Sequence, residues 1–265
     1  MSDTLNKSMN KIPALTLAFW IMKICATTLG ETAGDLLSMT LKVGYTLASV
    51  ILLSFFIVTL IIQLISKTYH PVIYWLVIVS TSTAGTTISD YMDRTLGLGY
   101  ETGTLILVSL LIIILTIWKL SEKTISVTNI KNFRSEMFYW IAILFSNTLG
   151  TALGDFLADS SGLGFIGGAI LVGSLILALI LAYYYTKISR IVLFWIAFVL
   201  TRPFGATFGD LLTKPVDAGG LNFGTIGSSA ILAGILIVLI VNEMSKHRKN
   251  SKKILVTDTV EFKDF

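Results

Sequence analysis

The sequence reads WIMKICATTLGETAGD over residues 20–35, and three later stretches repeat its pattern. They are WLVIVSTSTAGTTISD over 75–90, WIAILFSNTLGTALGD over 140–155 and WIAFVLTRPFGATFGD over 195–210. Each stretch begins with tryptophan, has glycine five residues before its end, and ends with aspartate. Four of the five tryptophans in the chain occupy this first position. The chain is therefore built from four copies of one unit.

Each stretch lies in an apolar run long enough to cross a membrane, and a second apolar run follows it. The predicted spans are 14–34, 45–66, 72–91, 102–119, 137–156, 163–186, 191–211 and 221–242. Each unit contains two spans, so all four units have the same orientation and form parallel repeats. The sequence predicts an all-α integral membrane protein with about eight transmembrane helices, arranged as four pseudo-repeats of a helical hairpin.

The composition supports a membrane protein and excludes several other classes. Of the 265 residues, 54% are hydrophobic and 14% are charged, whereas a soluble domain usually has about 25% charged residues. One cysteine and two histidines cannot form a zinc-type cluster. The net charge of +4 comes from short loops and the tail, so we expect no nucleic-acid partner.

The basic residues predict the orientation of the chain. Most lysines and arginines fall on the side that holds both termini, and only Lys42, Arg94 and Lys214 fall on the other side. By the positive-inside rule, the N- and C-termini are cytoplasmic. Lys23 lies inside the first span, and we expect its side chain to extend towards the cytoplasmic interface.

The aspartates divide the chain into two halves of four helices. Their spacings are 55, 65 and 55 residues, so the halves are displaced by 120 residues, with ten extra residues in a central linker. The predicted segments are a cytoplasmic N-terminal segment 1–13, a first half 14–120 (repeats 14–66 and 71–120), a cytoplasmic linker 121–136, a second half 137–242 (repeats 137–186 and 190–242), and a cytoplasmic tail 243–265.

Small residues lie four positions apart at the end of each repeated stretch, and we predict that they pack helices together. The pairs are Gly30 and Gly34, Gly85 and Ser89, Gly150 and Gly154, and Gly205 and Gly209. Such pairs allow two membrane helices to approach closely. We therefore expect the four odd-numbered helices to form an inner cluster and the even-numbered helices to face lipid. The aromatic pair at the start of each stretch is expected to mark the cytoplasmic interface.

Polar side chains share a helix face with each aspartate, because residues three and four apart align. The candidate ion-pathway residues are Thr28, Glu31, Thr32 and Asp35; Thr83, Thr87 and Asp90; Asn147, Thr148, Thr151 and Asp155; and Thr207 and Asp210. Carboxylate and hydroxyl oxygens suit cations such as Mg²⁺, Ca²⁺ and Mn²⁺. The four aspartates and Glu31 are the candidate metal ligands, for a transported cation rather than a resident cofactor.

Arg202 stands where the other repeats have Thr27, Ser82 and Asn147. A buried arginine without a partner is costly inside a membrane. We therefore predict that Arg202 pairs with Glu31 or with one of the aspartates. This departure from fourfold symmetry argues against a simple pore with a uniform ring of charge.

These features favour a membrane transporter that moves a cation, with a divalent metal such as Mn²⁺ preferred. The alternative is a scaffold or sensor without transport, in which the aspartates only cap helix ends. An intramembrane enzyme acting on lipid is a third class, but the sequence has no Gly-x-Ser-x-Gly motif and both histidines lie away from the polar stripe. We therefore expect no enzyme. The expected partners are the lipid bilayer and the cation, and homo-oligomerisation stays open.

The repeated Gly-x-Thr-x-x-Asp hairpin resembles an uncharacterised bacterial family of multi-pass integral membrane proteins. The resemblance covers residues 15–242 and implies an eight-helix protein of the bacterial inner (cell) membrane. The run Gly30-Glu31-Thr32-Ala33-Gly34-Asp35 also resembles the acidic motifs of small manganese and calcium exporters. Those motifs usually continue with lysine, where Leu36 stands here.

Overall fold

The computed structural model describes residues 11–127, 130 and 132–261, with side chains described as far as residue 248. Eight α-helices make up this part of the chain and confirm the all-α prediction. They are α1 (Leu17–Asp35), α2 (Tyr45–Ile65), α3 (Pro71–Asp90), α4 (Gly99–Glu122), α5 (Phe133–Asp155), α6 (Gly164–Tyr185), α7 (Arg190–Thr213) and α8 (Thr225–Glu261). Single π-helical turns follow α1, α3 and α5 at Leu36–Thr40, Tyr91–Thr95 and Phe156–Ser160.

Within the described residues, seven helices, α2 to α8, are long and apolar enough to cross a membrane. Helix α1 has 19 residues but is more polar, because it contains Lys23 and Glu31. Both side chains are buried against neighbouring helices, so protein rather than lipid surrounds them. Helix α1 also takes the same place in the bundle as α3, α5 and α7. We therefore count it as the eighth span.

The odd-numbered helices form an inner ring, as the sequence predicted. Helices α1, α3, α5 and α7 each pack against the next, and α7 packs against α1 to close the ring. Each outer helix packs against the inner helix of the following repeat, and α8 packs against α1. The apolar window of α3 is 72% buried, whereas that of α2 is 22% buried. The outer helices therefore carry the apolar surface that faces lipid.

The first glycine of each repeated pair lies where one inner helix approaches the next. Gly30 faces Ser82, Gly85 faces Asn147, Gly150 faces Arg202 and Gly205 faces Thr27. In every case, the glycine of one repeat meets the residue eight positions before the aspartate of the next repeat. A side chain at any of these glycines would lie within 3.0 Å of its neighbour. These glycines therefore set the spacing of the ring.

The second small residue of each pair lies one turn closer to the aspartate, and it packs against the next inner helix in three of the four repeats. The facing residues are Gly34 and Thr86, Gly154 and Ala206, and Gly209 and Glu31, with an added Cβ 2.9, 2.8 and 3.0 Å from the neighbour. Ser89 differs from the three glycines, because it is buried and its hydroxyl donates a hydrogen bond to Asp93 over 3.3 Å. The packing role of Ser89 stays a prediction, and its side chain also bonds to the turn that follows its own helix.

The aromatic pairs form a second layer of contacts at the other end of the ring, which we call the tryptophan end. The ring centroids lie 5.7 Å apart for Phe19 and Trp75, 5.6 Å for Tyr74 and Trp140, 6.5 Å for Tyr139 and Trp195, and 5.8 Å for Trp20 and Phe194. Trp75, Trp140 and Trp195 are buried. These rings thus pack between repeats, and their place at the cytoplasmic interface stays a prediction.

One hydrogen bond inside this layer allows a test of its contribution to stability. The hydroxyls of Tyr74 and Tyr139 lie 2.7 Å apart, and both residues are fully buried. Tyr74→Phe leaves the second hydroxyl without this partner, so we expect a loss of about 1–3 kcal/mol in the free energy of unfolding. Denaturant unfolding in detergent micelles measures the loss. The double variant Y74F/Y139F should regain most of it, and an unchanged single variant would refute the argument.

The central linker packs against the tryptophan end. Val127 and Ile130 are buried, and the Trp195 indole donates a hydrogen bond to the carbonyl oxygen of Ile125 over 3.0 Å.

Helix α8 extends further than the predicted span, which ends at 242, because it continues to Glu261. Residues 243–261 of the predicted tail are therefore helical.

Candidate functional site

The four repeated aspartates lie together at the end of the ring opposite the tryptophans, which we call the aspartate end. Asp35, Asp90 and Asp155 are the last residues of their helices, and Asp210 lies three residues before the end of α7. Each is at most 4% exposed. Glu31 lies beside them, and carboxylate oxygens of Glu31, Asp35 and Asp210 fall within 4.8 Å of one another. The carboxylates of different repeats therefore converge.

Arg94 joins two of these aspartates from neighbouring repeats. Its Nε lies 2.8 Å from Asp90, and its Nη2 lies 3.3 Å from Asp155. The guanidinium also lies over the ring of Tyr100 at 5.5 Å and over that of Tyr45 at 6.0 Å. Contacts on several sides therefore fix the position of Arg94.

Lys214 joins the other two aspartates. Its Nζ lies 2.8 Å from Asp35 and 3.1 Å from Asp210. Burial lowers the pKa of Lys214, but the negative charges of Asp210 and Asp35 outweigh burial and raise the pKa above its usual value. The side chain is therefore an ammonium at neutral pH. It lies immediately after Thr213, the last residue of α7, and is partly exposed.

The two ion-pair groups are related by the same displacement as the two halves of the chain. Lys214 follows Arg94 by 120 residues, Asp210 follows Asp90 by 120, and Asp155 follows Asp35 by 120, so the exchange of the two halves relates one group to the other. We call the four aspartates with Arg94 and Lys214 the aspartate cluster. It contains four carboxylates and two basic groups, so its formal charge is −2 when all groups are ionised.

Arg202 lies at the centre of the ring and is fully buried. Its guanidinium donates hydrogen bonds to residues of all three other repeats. They are the Thr27 carbonyl oxygen at 3.2 Å, Glu31 Oε2 at 2.9 Å, the Ser82 carbonyl oxygen at 3.2 Å, Thr151 Oγ1 at 2.8 Å, and Thr86 Oγ1. The predicted pair with Glu31 is thus present. A fixed positive charge on the axis is a barrier to a free flow of cations.

Lys23 points into the bundle, and the expected extension towards the interface is wrong. The side chain is fully buried. Its Nζ donates a hydrogen bond to Asn147 Oδ1 over 3.3 Å and lies 4.0 Å from the centre of the Phe198 ring. Asn147 in turn donates to Thr81 Oγ1 over 2.9 Å. Asn147, which was predicted to line the ion pathway, therefore contacts Lys23 and not the aspartate cluster.

Of the predicted threonines, two form side-chain hydrogen bonds with another helix and five bond to the backbone of their own helix. Thr151 reaches the centre of the ring, where its hydroxyl donates to Glu31 over 3.2 Å and accepts from Arg202. Thr32 forms a hydrogen bond with Ser229 of α8 over 2.9 Å. The hydroxyls of Thr28, Thr83, Thr87, Thr148 and Thr207 donate to backbone carbonyls of their own helices. Such bonds are common for threonine in membrane helices and need no ligand.

Sequence reasoning missed the roles of Arg94 and Lys214, which it assigned only to loops. A signal was available, because each stands four residues after an aspartate, the spacing at which opposite charges pair on a helix. The corresponding positions after Asp35 and Asp155 hold Met39 and Asp159. A basic residue thus stands four residues after the aspartate in the second and fourth repeats only.

A ring of four inner helices, each followed by an outer helix, with acidic groups buried at one end, defines a four-repeat α-helical membrane protein. The family described as Repeat of Unknown Function (DUF347) matches residues 18–69, 73–124, 138–189 and 193–248. The chain belongs to this family, and each match covers one inner and one outer helix. No curated protein and no solved structure matches the chain. The likeness to an uncharacterised repeated family is thereby confirmed, whereas the likeness to exporters gains no support.

Proposed function

We propose that this protein is a carrier that moves a cation across the membrane, with a divalent metal such as Mn²⁺ as its substrate. The observation that carries the proposal is the excess of negative charge in the aspartate cluster. Four buried aspartates share two basic groups, while Glu31 pairs with Arg202. Unbalanced charge at this depth is costly unless a proton or a cation joins it.

The closed centre of the ring favours a carrier over an open channel. Arg202 fills the axis, and the aromatic layer closes the tryptophan end. A cation that reaches the aspartate cluster therefore needs a movement of helices before it can continue. Two halves related by a displacement of 120 residues provide two bodies that can move against each other.

The chemistry of the cluster supports a hard cation. Its ligands are carboxylate oxygens, which suit Mg²⁺, Ca²⁺ and Mn²⁺ better than metals that prefer sulfur. By the positive-inside rule, we expect the aspartate end to lie outside a bacterial inner membrane and both termini to lie in the cytoplasm. On this orientation, the cluster faces the external solution. Enzymatic activity forms no part of the proposal.

A flux measurement tests the proposal. Purified protein is reconstituted into liposomes that contain a metal-sensitive dye, and Mn²⁺ is added outside. We expect uptake in the wild type and a loss of at least about tenfold in Asp35→Asn and Asp210→Asn, since each removes a ligand. Asp159→Asn is the matched control, because Asp159 is exposed beyond the end of α5. It should transport like the wild type.

The alternative function is a scaffold or sensor without transport. Folded wild-type protein that moves none of Mn²⁺, Mg²⁺ and Ca²⁺ would favour that alternative and overturn the carrier. Equal transport by the wild type and the two aspartate variants would instead show that the route avoids the cluster.

A further inference from the structure

We propose that the ammonium of Lys214 is an internal substitute for the transported cation. It pairs with Asp35 and Asp210, beside Glu31, and a cation that binds to these three carboxylates displaces it towards solvent. This inference rests on the proposed function. The inference adds two details, namely the half of the aspartate cluster that binds the cation and the residue that must move.

The two halves of the cluster are not equivalent. Glu31 supplies a further carboxylate beside the Lys214 half, whereas the position displaced from it by 120 residues is Thr151. Oxygens of Glu31, Asp35 and Asp210 lie within 4.8 Å of one another. Two oxygens on opposite sides of one Ca²⁺ are at most about 5 Å apart, given metal–oxygen distances of about 2.3–2.6 Å. Small movements of these side chains would therefore let all three carboxylates contact one ion.

A second observation at this site concerns how the Asp210 carboxylate meets Lys214. Asp210 Oδ1 is buried and accepts no aligned hydrogen bond from the described residues. The Lys214 ammonium lies 3.1 Å from this atom. A metal ion can bind a carboxylate oxygen without the alignment that a hydrogen bond requires. A buried oxygen that has a positive neighbour but no aligned donor therefore suits a metal ion.

Lys214 is better placed to leave than Arg94, although both side chains are partly exposed. Lys214 stands just beyond the end of α7 and carries its charge on a flexible stem. Arg94 lies within the π-helical turn Tyr91–Thr95 and is held by two aspartates and two tyrosine rings. The ion pairs of Arg94 can thus stay intact while those of Lys214 break.

The exchange also improves the charge balance of the cluster. The ammonium contributes one positive charge, and a divalent cation in its place contributes two. The formal excess of negative charge therefore falls from two to one, while the displaced ammonium enters water. A monovalent ion would leave the balance unchanged, so the arrangement favours a divalent cation.

The first test measures equilibrium binding of Mn²⁺ to purified protein in micelles. Lys214→Gln removes the ammonium that the ion must displace, so we expect binding to tighten on the order of tenfold. Lys42→Gln is the matched control, because Lys42 is exposed in the turn between α1 and α2, and this change should not tighten binding. Weaker or unchanged binding in Lys214→Gln would show that Lys214 only stabilises the fold and would overturn the inference.

The second test uses the unaltered chain and so does not depend on how a variant folds. Lysines are acylated with an N-hydroxysuccinimide ester with and without Mn²⁺, and peptide mass spectrometry measures the modification of each. We expect Mn²⁺ to increase the modification of Lys214 several-fold and to leave exposed Lys42 unchanged. Equal modification of Lys214 in both conditions, in protein that transports Mn²⁺, would reject displacement while leaving the carrier intact. Folded protein that neither binds nor transports Mn²⁺ would instead reject the proposed function.

Discussion

Arg202→Gln is expected to lower the free energy of unfolding by about 3–5 kcal/mol, the usual cost of breaking a buried ion pair. The guanidinium reaches residues of the other three repeats from the centre of the ring. Glutamine is shorter and neutral, so Glu31 would remain buried without its cation. Denaturant titration in detergent micelles, followed by circular dichroism, gives the free energy directly.

Two further variants separate the ion pair from other effects at the centre. The double variant E31Q/R202Q removes both charges and should regain part of the lost stability. Arg190→Gln changes an exposed arginine at the start of α7 and should change the free energy of unfolding by less than about 1 kcal/mol. An Arg202→Gln protein as stable as the wild type would show that the pair does not hold the ring together.

Gly150→Ala is expected to be the second most damaging of these substitutions, although it adds a single methyl group. A Cβ at this position would overlap the Cβ and Cγ of Arg202 and lie 3.1 Å from the Arg202 backbone. Helices α5 and α7 would have to separate, and overpacking of this kind typically costs about 1–3 kcal/mol. We expect an additional loss, because the displaced guanidinium would no longer reach its partners.

Gly234→Ala is the matched control, because it lies in the outer helix α8 and a Cβ there meets nothing within 4 Å. Alanine is the better helix former, so this change should be neutral or should stabilise the protein by up to about 1 kcal/mol. The same unfolding titration compares the two variants. A similar response of both would mean that the contact with Arg202 does not limit the approach of the helices.

The sequence was sufficient to predict the order of the helices and the division into inner and outer sets. Spans are local features, since about 20 apolar residues define each of them. The pattern of small residues around Gly30 and Gly150 identified the helices that approach closely. Tryptophan, glycine and aspartate recur at the same spacing in all four repeats. This spacing showed that equivalent residues of the four repeats would lie at the same depth in the membrane.

The ion pairs of the aspartate cluster needed the three-dimensional order of the repeats. Arg94 reaches Asp155 only because the second repeat stands next to the third in the ring, and Lys214 reaches Asp35 only because the fourth closes on the first. A count of basic residues by side of the membrane treated Arg94 and Lys214 as loop residues. That count carries no information about neighbours across the ring.

The misplacement of Lys23 has a different cause. Its depth in the membrane follows from its position in the first span, but its direction around the helix does not. A long basic side chain near a membrane surface commonly reaches outwards. Here Asn147 and the ring of Phe198 provide an inward partner and an aromatic face, and both come from other repeats. Only the closed ring brings them to Lys23.

The packing of each outer helix on the following repeat, with α8 returning to α1, bears on how such a bundle could arise. Four separate, identical hairpins could close in the same cyclic way as a homotetramer. Such a tetramer would bring four guanidinium groups to its axis if one subunit carried arginine at the position of Arg202, and their mutual repulsion would oppose assembly. Gene duplication and fusion remove this constraint. Covalent linkage of the copies is therefore what permits a single positive charge at the centre of an otherwise symmetric assembly.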